Sequence, residues 1–322
     1  MSKRTTADTV EGAPLEIGRI LIPIDFSPAS RLALRYGVVL ARCFSAELIL
    51  LHVVDTGSRL DRALGAVAES AHIEQQEEAA RMLPALLSEK DRLELKPRLL
   101  VELGSVAARI VAASRRERVG LVVMGTRGLG LLRRSLMGSV TEDVLKTVRV
   151  PVLTLGHDAG PQQIDRILLA MKLSPGFHTI GLMASHLARR IHASLIAFHA
   201  VDVGIEDGAE ESTYLGEERA AEAQAKLREL LSGVPGNIVT EARVAEDSIS
   251  ASILRCAGNH DAGLIVLGVR KGKGARHTSL TSVVDRIIRE ASVPVLSIPI
   301  PAAAESMPAD ANEVETRPIR AA

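Results

Sequence analysis

Apolar runs of four to eight residues recur along the chain, and each is followed by a stretch whose apolar positions fall three and four apart. In the first half the runs predict strands near residues 19–24, 47–54, 95–101, 120–124 and 151–155, with helices between them near 29–43, 69–90, 105–117 and 139–148. Runs such as Glu47-Leu48-Ile49-Leu50-Leu51 are apolar almost without a break, as expected of parallel strands covered on both faces. Ser27-Pro28 places a capping hydroxyl before a proline at the first helical position. Strands alternating with helices in units of this size predict right-handed crossovers and an open, doubly wound sheet.

The second half repeats this order, with strands near 165–171, 194–201, 238–244, 262–267 and 294–298. The copies also match residue by residue. Ile20-Leu21-Ile22 and Ser27-Pro28 recur as Ile167-Leu168-Leu169 and Ser174-Pro175, His52 and Asp55 recur as His199 and Asp202, and Val150-Pro151-Val152 recurs as Val293-Pro294-Val295. The offset between the copies is 147 residues early in the repeat and 143 late in it. A period this long is a domain duplication, since solenoid repeats are far shorter. The expected division is a disordered N-terminus over 1–17, a first domain over 18–156, a linker over 157–163, a second domain over 164–300 and a disordered tail over 301–322. The helices of Leu64–Leu87 and Ala209–Leu231 are expected to cover the sheet, and the last strand of each half is expected at a sheet edge.

Composition narrows the class of function. Lys plus Arg and Asp plus Glu each total 39, aromatic residues are 2% of the chain and Trp is absent. That balance leaves neither a basic footprint nor stacking platforms, so no nucleic-acid partner is expected. No apolar run approaches the ~20 residues that span a bilayer, so no membrane span is expected. The first 18 residues carry no apolar signal core. Cys43 and Cys256 lie in different halves and read as packing residues in a reducing compartment, so the expected location is cytoplasmic.

The chemistry concentrates where the fourth strand of the first half ends. Leu121-Val122-Val123-Met124 runs into Gly125-Thr126-Arg127-Gly128, and nine residues later Gly138-Ser139-Val140 opens an amphipathic segment. Glycines at a strand exit let a ligand approach the main chain closely. The unpaired amides and positive dipole end of a helix starting at Ser139 favour a phosphate. Strand, glycine-bounded loop and helix N-terminus together point to a nucleotide. Asp25 and Val53 fall at other strand ends on the same edge of the sheet, where open α/β folds bind ligands.

The spacing Gly, two residues, Gly, nine residues, Gly-Ser, with Asp25 ending the first strand and Val-Pro-Val opening the last, resembles the universal stress protein family. The length resembles its tandem members. The resemblance implies two open, mostly parallel five-stranded domains, Rossmann-like and similar to adenine nucleotide alpha hydrolases. It further implies ATP as ligand in members that keep the motif, with Mg2+ as companion on the phosphates. Carried over by position, it sets Pro23, Ile24 and Asp25 beside the adenosine, Val53 at the adenine edge, and Met124 and Gly125 on the pocket wall. Arg127, Gly128, Gly138, Ser139 and Val140 surround the phosphates in this scheme. In similar proteins the last strand pairs domains across a pseudo-two-fold axis, which here is available within one chain or between two chains as a homodimer.

The second half departs where it matters. Lys172 stands for Asp25, Lys271 for Gly128 and Thr281 for Gly138, while Gly268 and Ser282 keep the positions of Gly125 and Ser139. A lysine carries only donors and cannot accept a ribose hydroxyl. The expectation is one ATP in the first half of a stress-response regulator or partner switch. A nucleotide-independent scaffold and a slow ATPase are the alternatives, and the protein partners are not named by the sequence.

Overall fold

The computed structural model describes residues 15–56, 66–126, 137–156, 164–174, 176–202, 209–269 and 282–300. The expected linker at 157–163 and tail at 301–322 lie outside them. In the first half the elements are β1 (Arg19–Pro23), α1 (Pro28–Phe44), β2 (Glu47–Val54), α2 (Ala66–Ala85), α3 (Glu89–Leu95), β3 (Arg98–Leu103), α4 (Val106–Arg116), β4 (Leu121–Gly125), α5 (Ser139–Thr147) and β5 (Val152–Leu155). The second half follows with β6 (Arg166–Ala170), α6 (Gly176–Arg190), β7 (Ser194–Val201), α7 (Ala209–Leu230), β8 (Ile238–Val244), α8 (Ile249–Asn259), β9 (Leu264–Val269), α9 (Ser282–Glu290) and β10 (Val295–Pro299).

Two local departures from the sequence reading have physical causes. The helix expected over 69–90 is two helices, because Ser88 takes extended backbone and its hydroxyl accepts from the Asp91 amide, capping a new helix. That short helix pushes the start of β3 to Arg98. The N-terminal boundary also moves. Leu15 and Ile17 are buried in the core, and Gly120 makes room for them: a Cβ there would stand 2.5 Å from the Glu16 carbonyl oxygen. The packed chain therefore begins before residue 18, whereas 1–14 lie outside the described residues.

The strands form one sheet in the order β3-β2-β1-β4-β5-β10-β9-β6-β7-β8. Pairing is parallel within each half and antiparallel at the joint, where Val152, Leu153 and Thr154 face Ser297, Leu296 and Val295. Leu153 and Leu296 are equivalent at the offset of 143 and lie directly opposite one another, so the axis relating the two halves passes between them. The Thr154 hydroxyl donates across the joint to the Val295 carbonyl at 3.1 Å.

Side chains alternate across the strands, and each face of the sheet has its own core. On one face Ile20, Ile22, Leu48, Leu50 and Leu153 meet residues of α1, α2, α6 and α7; on the other Leu21, Ile49, Leu51 and Val122 meet residues of α4, α5, α8 and α9. Both cores contain residues of both halves, so the joint is continuous in packing as well as in hydrogen bonding.

Glu117, just past the end of α4, ties together β1 and β3 of the first half. Its nearly buried carboxylate lies 2.7 Å from Arg98 and 2.8 Å from Arg116, and its carbonyl accepts from Arg19 at 2.7 Å. The hydrogen bond from Arg116, then the charges of Arg98, Arg116 and Arg19, hold this carboxyl below its ordinary range despite burial. A depressed folded pKa gives stability that is present above the unfolded value, about 4.3 for Glu, and lost as pH falls through the folded value. Glu117→Gln is expected to cost about 1–2 kcal/mol at neutral pH, limited by the half-exposed arginines. The deficit should shrink as acid protonates the wild-type carboxyl. Urea unfolding of both proteins across that range checks it; a deficit independent of pH would count against the assignment.

Candidate functional site

A cleft of about 660 Å³ opens between the carboxyl ends of β1 and β4, where the strand order reverses. Its floor and walls follow from local structure. β1 ends at Pro23, and Ile24 still bonds to β2 through its amide and the Leu51 carbonyl at 2.8 Å. The chain then turns sharply, with Phe26 at φ +63°, a conformation uncommon outside glycine. The turn is supported from β2. His52 donates from Nδ1 to the Ile24 carbonyl at 2.7 Å, and its ring stacks obliquely on Phe26 at 4.9 Å. His199 makes the same bond to the Met171 carbonyl at 2.8 Å in the second half. These histidines share a structural role at equivalent strand ends.

Beyond the turn, Ser27 caps α1 and its amide donates to Asp25 Oδ1 at 3.0 Å. Asp25 thus serves the turn while lining the cleft. A carboxylate has about four acceptor positions, so one accepted amide leaves capacity for ligand hydroxyls.

The opposite lip is built from β4 and α5. Gly125 ends β4 against α1, and a Cβ there would lie 2.7 Å from the Ala29 Cβ and 3.0 Å from its carbonyl carbon. Thr126 bonds back to the Leu155 carbonyl, and the Gly138 amide donates to the Thr126 carbonyl at 2.8 Å. Both ends of the intervening loop are therefore held together. Thr141 in the first turn of α5 donates its hydroxyl to the Gly125 carbonyl at 3.1 Å. Gly138, the N-cap, brings no side chain over the helix end, so the first-turn amides of α5 meet the cleft with their partial positive charge.

Of the residues expected from the sequence, Pro23, Ile24, Asp25, Val53, Gly125, Gly138, Ser139 and Val140 line this cleft. Met124 does not. Its side chain is 5% exposed and lies on the same face as Leu51 and Ile110, packed into the core with Ile110 and Val144 beneath the cleft. Arg127 and Gly128 lie outside the described residues, as do Lys271 and Thr281. The sequence reading missed the apolar wall of Leu51, Val106 and Ile110, together with Ser30, Met137, Thr141, Glu142 and Arg289. Helical spacing assigns Val106 and Ile110 to the core as readily as to a cleft. Arg289 belongs to the second half, and no local pattern places it here.

The charged groups at the α5 end are paired. Lys146 lies 2.6 Å from Glu142, whose hydrogen bond chiefly holds the ammonium above its ordinary pKa; Asp143 and Asp285 add to this. Arg289 lies 2.9 Å from Asp285, one turn earlier on α9.

The equivalent place in the second half is lined differently at its described positions. Lys172 stands where Asp25 does, and Phe177 takes the position of Ser30 at the offset of 147. Phe177 is 4% exposed, and a Cβ on Gly268 would approach its ring to 2.8 Å. The aromatic ring packs against Gly268, the counterpart of Gly125, and residues 270–281, which correspond to the opposite lip, lie outside the described residues. Elsewhere in this half, Glu241, Cys256 and His260 bring donor atoms within 4.8 Å of one another. Glu241 is already engaged by His260 at 2.8 Å and Arg243 at 2.5 Å. Burial pushes the Cys256 thiol up to about 12, so it stays protonated and packs as a small apolar group.

Comparison with known proteins fits this geometry. The family model described as the universal stress protein family matches residues 16–155 and again 163–299. A universal stress protein of Mycolicibacterium smegmatis is 28% identical over 295 residues, covering 87% of this chain and 96% of its own. Universal stress protein MJ0577 of Methanocaldococcus jannaschii is 29% identical over 151 residues, covering 42% of this chain and 93% of its own. The fold is shared with the crystal structure of a universal stress protein from Archaeoglobus fulgidus, at a TM-score of 0.63 and 22% identity over 88% of this chain and 99% of that one. Among the described residues no helix is long and apolar enough to cross a membrane. With both halves matched by one family model and both folded as parallel α/β units, the chain belongs to the universal stress protein family, as a tandem member.

Proposed function

We propose that the chain binds one ATP in the first-half cleft and acts as a nucleotide-responsive regulator. The observation that carries this reading is convergence: the turn after β1, the end of β2, the glycine exit of β4 and the start of α5, which no side chain caps, meet at one cleft, while Lys172 and Phe177 replace Asp25 and Ser30 in the second half. The cleft volume lies within the range of small-molecule sites, about 300–1,000 Å³. In this reading Leu51, Val53, Val106 and Ile110 flank the adenine, and Asp25 accepts the ribose hydroxyls. The amides of Ser139 and Val140 receive the phosphates. Mg2+ rides on the phosphates, as is usual for an ion that keeps most of its water, and Glu142 is the acidic lining side chain nearest that role. The nucleotide shifts the protein's behaviour only through different affinity for two of its states.

The test is to denature purified protein, identify any released nucleotide, and titrate ATP with Mg2+ by calorimetry. About one ATP per chain is expected, and Asp25→Ala should weaken it roughly tenfold to a hundredfold by removing charge-assisted hydrogen bonds. Two equivalent ATP sites per chain would overturn the asymmetry between the halves. No released nucleotide and no heat at millimolar ATP would leave the duplicated fold as a scaffold.

A further inference from the structure

The antiparallel joint has a consequence for the helices beside it. α5 precedes β5 and α9 precedes β10, on the same face of the sheet, and both contribute to the core of that face. Because β5 and β10 run in opposite directions about an axis at Leu153 and Leu296, α5 and α9 also run in opposite directions. The last turn of α9 therefore comes beside the first turn of α5. Arg289 in that last turn lines the first-half cleft together with Gly138, Ser139 and Glu142. The reciprocal approach is present too, since Asp285 at the start of α9 acts on Lys146 at the end of α5.

The two helices carry the same device. Glu142 and Lys146 on α5 correspond, at the offset of 143, to Asp285 and Arg289 on α9, and each is an acid–base pair one turn apart. Placed across the axis, each basic end stands beside the acidic start of the opposite helix. In the first half that start is also where a polyphosphate would meet the helix amides.

We propose that Arg289 is a phosphate-binding residue of the first-half site, supplied by the second half, so that a bound nucleoside polyphosphate bridges the two halves. The proposal rests on the reading of the cleft as an ATP site. A guanidinium presents five N–H donors in a rigid fork and suits phosphate oxygens, and it can keep a carboxylate on one edge while turning another to the ligand. Lys146, 2.6 Å from Glu142, offsets the acidic charge beside the helix start. The second half, in which Lys172 and Phe177 replace Asp25 and Ser30, thereby contributes to the nucleotide site of the first. Arg289 recognises phosphate and touches neither base nor ribose, so it selects for the polyphosphate over the nucleoside.

The experiment measures binding of ATP and of adenosine, by calorimetry, to wild type and to Arg289→Gln, Arg289→Lys and Asp25→Ala in the full chain. Arg289→Gln is expected to weaken ATP about tenfold and to leave adenosine within about twofold, while Arg289→Lys recovers part of the loss. Hydrogen exchange should show ATP protecting α9 in wild type but not in Arg289→Gln. If Arg289→Gln binds ATP as wild type does while Asp25→Ala fails, the bridge is wrong and the ATP site stands. If wild type binds no ATP, both fall. Should Arg289→Gln melt at a much lower temperature than wild type, the ratio of ATP to adenosine affinity measured well below that temperature decides, since a general loss of fold weakens both ligands alike: an unchanged ratio in Arg289→Gln overturns the proposal.

Discussion

Gly125→Val is expected to abolish ATP binding and to destabilise the first half by roughly 1–3 kcal/mol, the cost of forcing volume into a packed site. The position has no slack. A Cβ would meet the Cβ, carbonyl carbon and carbonyl oxygen of Ala29 at 2.7, 3.0 and 3.2 Å, and two of these are helix backbone. Relief requires α1 to move away from β4. α1 begins at the Ser27 cap, which is tied to Asp25, so the movement reaches the cleft. Gly125→Ala should show a milder form of both effects. Gly258→Ala supplies the contrast: nothing lies within 4 Å of its added methyl, and a helical alanine should be neutral or stabilising by up to about 1 kcal/mol. Urea unfolding and ATP titration of the three variants check the ranking. Wild-type ATP affinity in Gly125→Val would show that the β4 exit does not shape the site.

Leu153→Asp has the largest expected effect on the molecule as a whole. Leu153 is 3% exposed and faces Leu296 across the axis, and both side chains enter the same core, so the substitution buries an unpaired carboxylate there. The expected cost is about 4 kcal/mol or more, in the range of an uncompensated buried charge. Losing the β5–β10 pairing also exposes two strand edges. Because the positions are equivalent, Leu296→Asp should cost nearly the same, which is a sharper claim than destabilisation alone. Chemical unfolding with limited proteolysis of the connecting segment checks both. Midpoints near wild type, or a large difference between the two variants, would falsify the symmetric joint.

The architecture was legible because its signal is local. Runs such as Leu48–Leu51 and Ile167–Ala170 are buried on both faces and read as parallel strands wherever they occur. Boundaries were less legible where short-range chemistry competed with periodicity, as at Ser88, whose hydroxyl starts a helix inside a continuous helical pattern. Leu15 and Ile17 sit in a polar N-terminal stretch, and the close approach of the Glu16–Ile17 backbone depends on Gly120, more than a hundred residues away.

The site divides in the same way. Asp25, Gly125 and the Gly138-Ser139 step were visible as strand ends and a helix start. Met124 shares a face with the wall residues Leu51 and Ile110, and only packing decides that it lies beneath the cleft rather than on its wall. Phe177 was present in the repeat alignment opposite Ser30, but its contact with Gly268 is a matter of packing. Arg289 had a legible counterpart in Lys146, yet its arrival at the first-half cleft depends on the direction of the β5–β10 pairing.

That pairing also decides how the protein responds to dilution. Two separate single-unit chains joined edge to edge dissociate as their concentration falls. Here the same edges belong to one chain, and the segment between Gly156 and Ile164 holds them at an effective concentration set by its length rather than by how much protein is present. Each chain therefore keeps its two halves together even when copies are scarce, and the halves are free to diverge, as Asp25 and Lys172 have at equivalent strand ends.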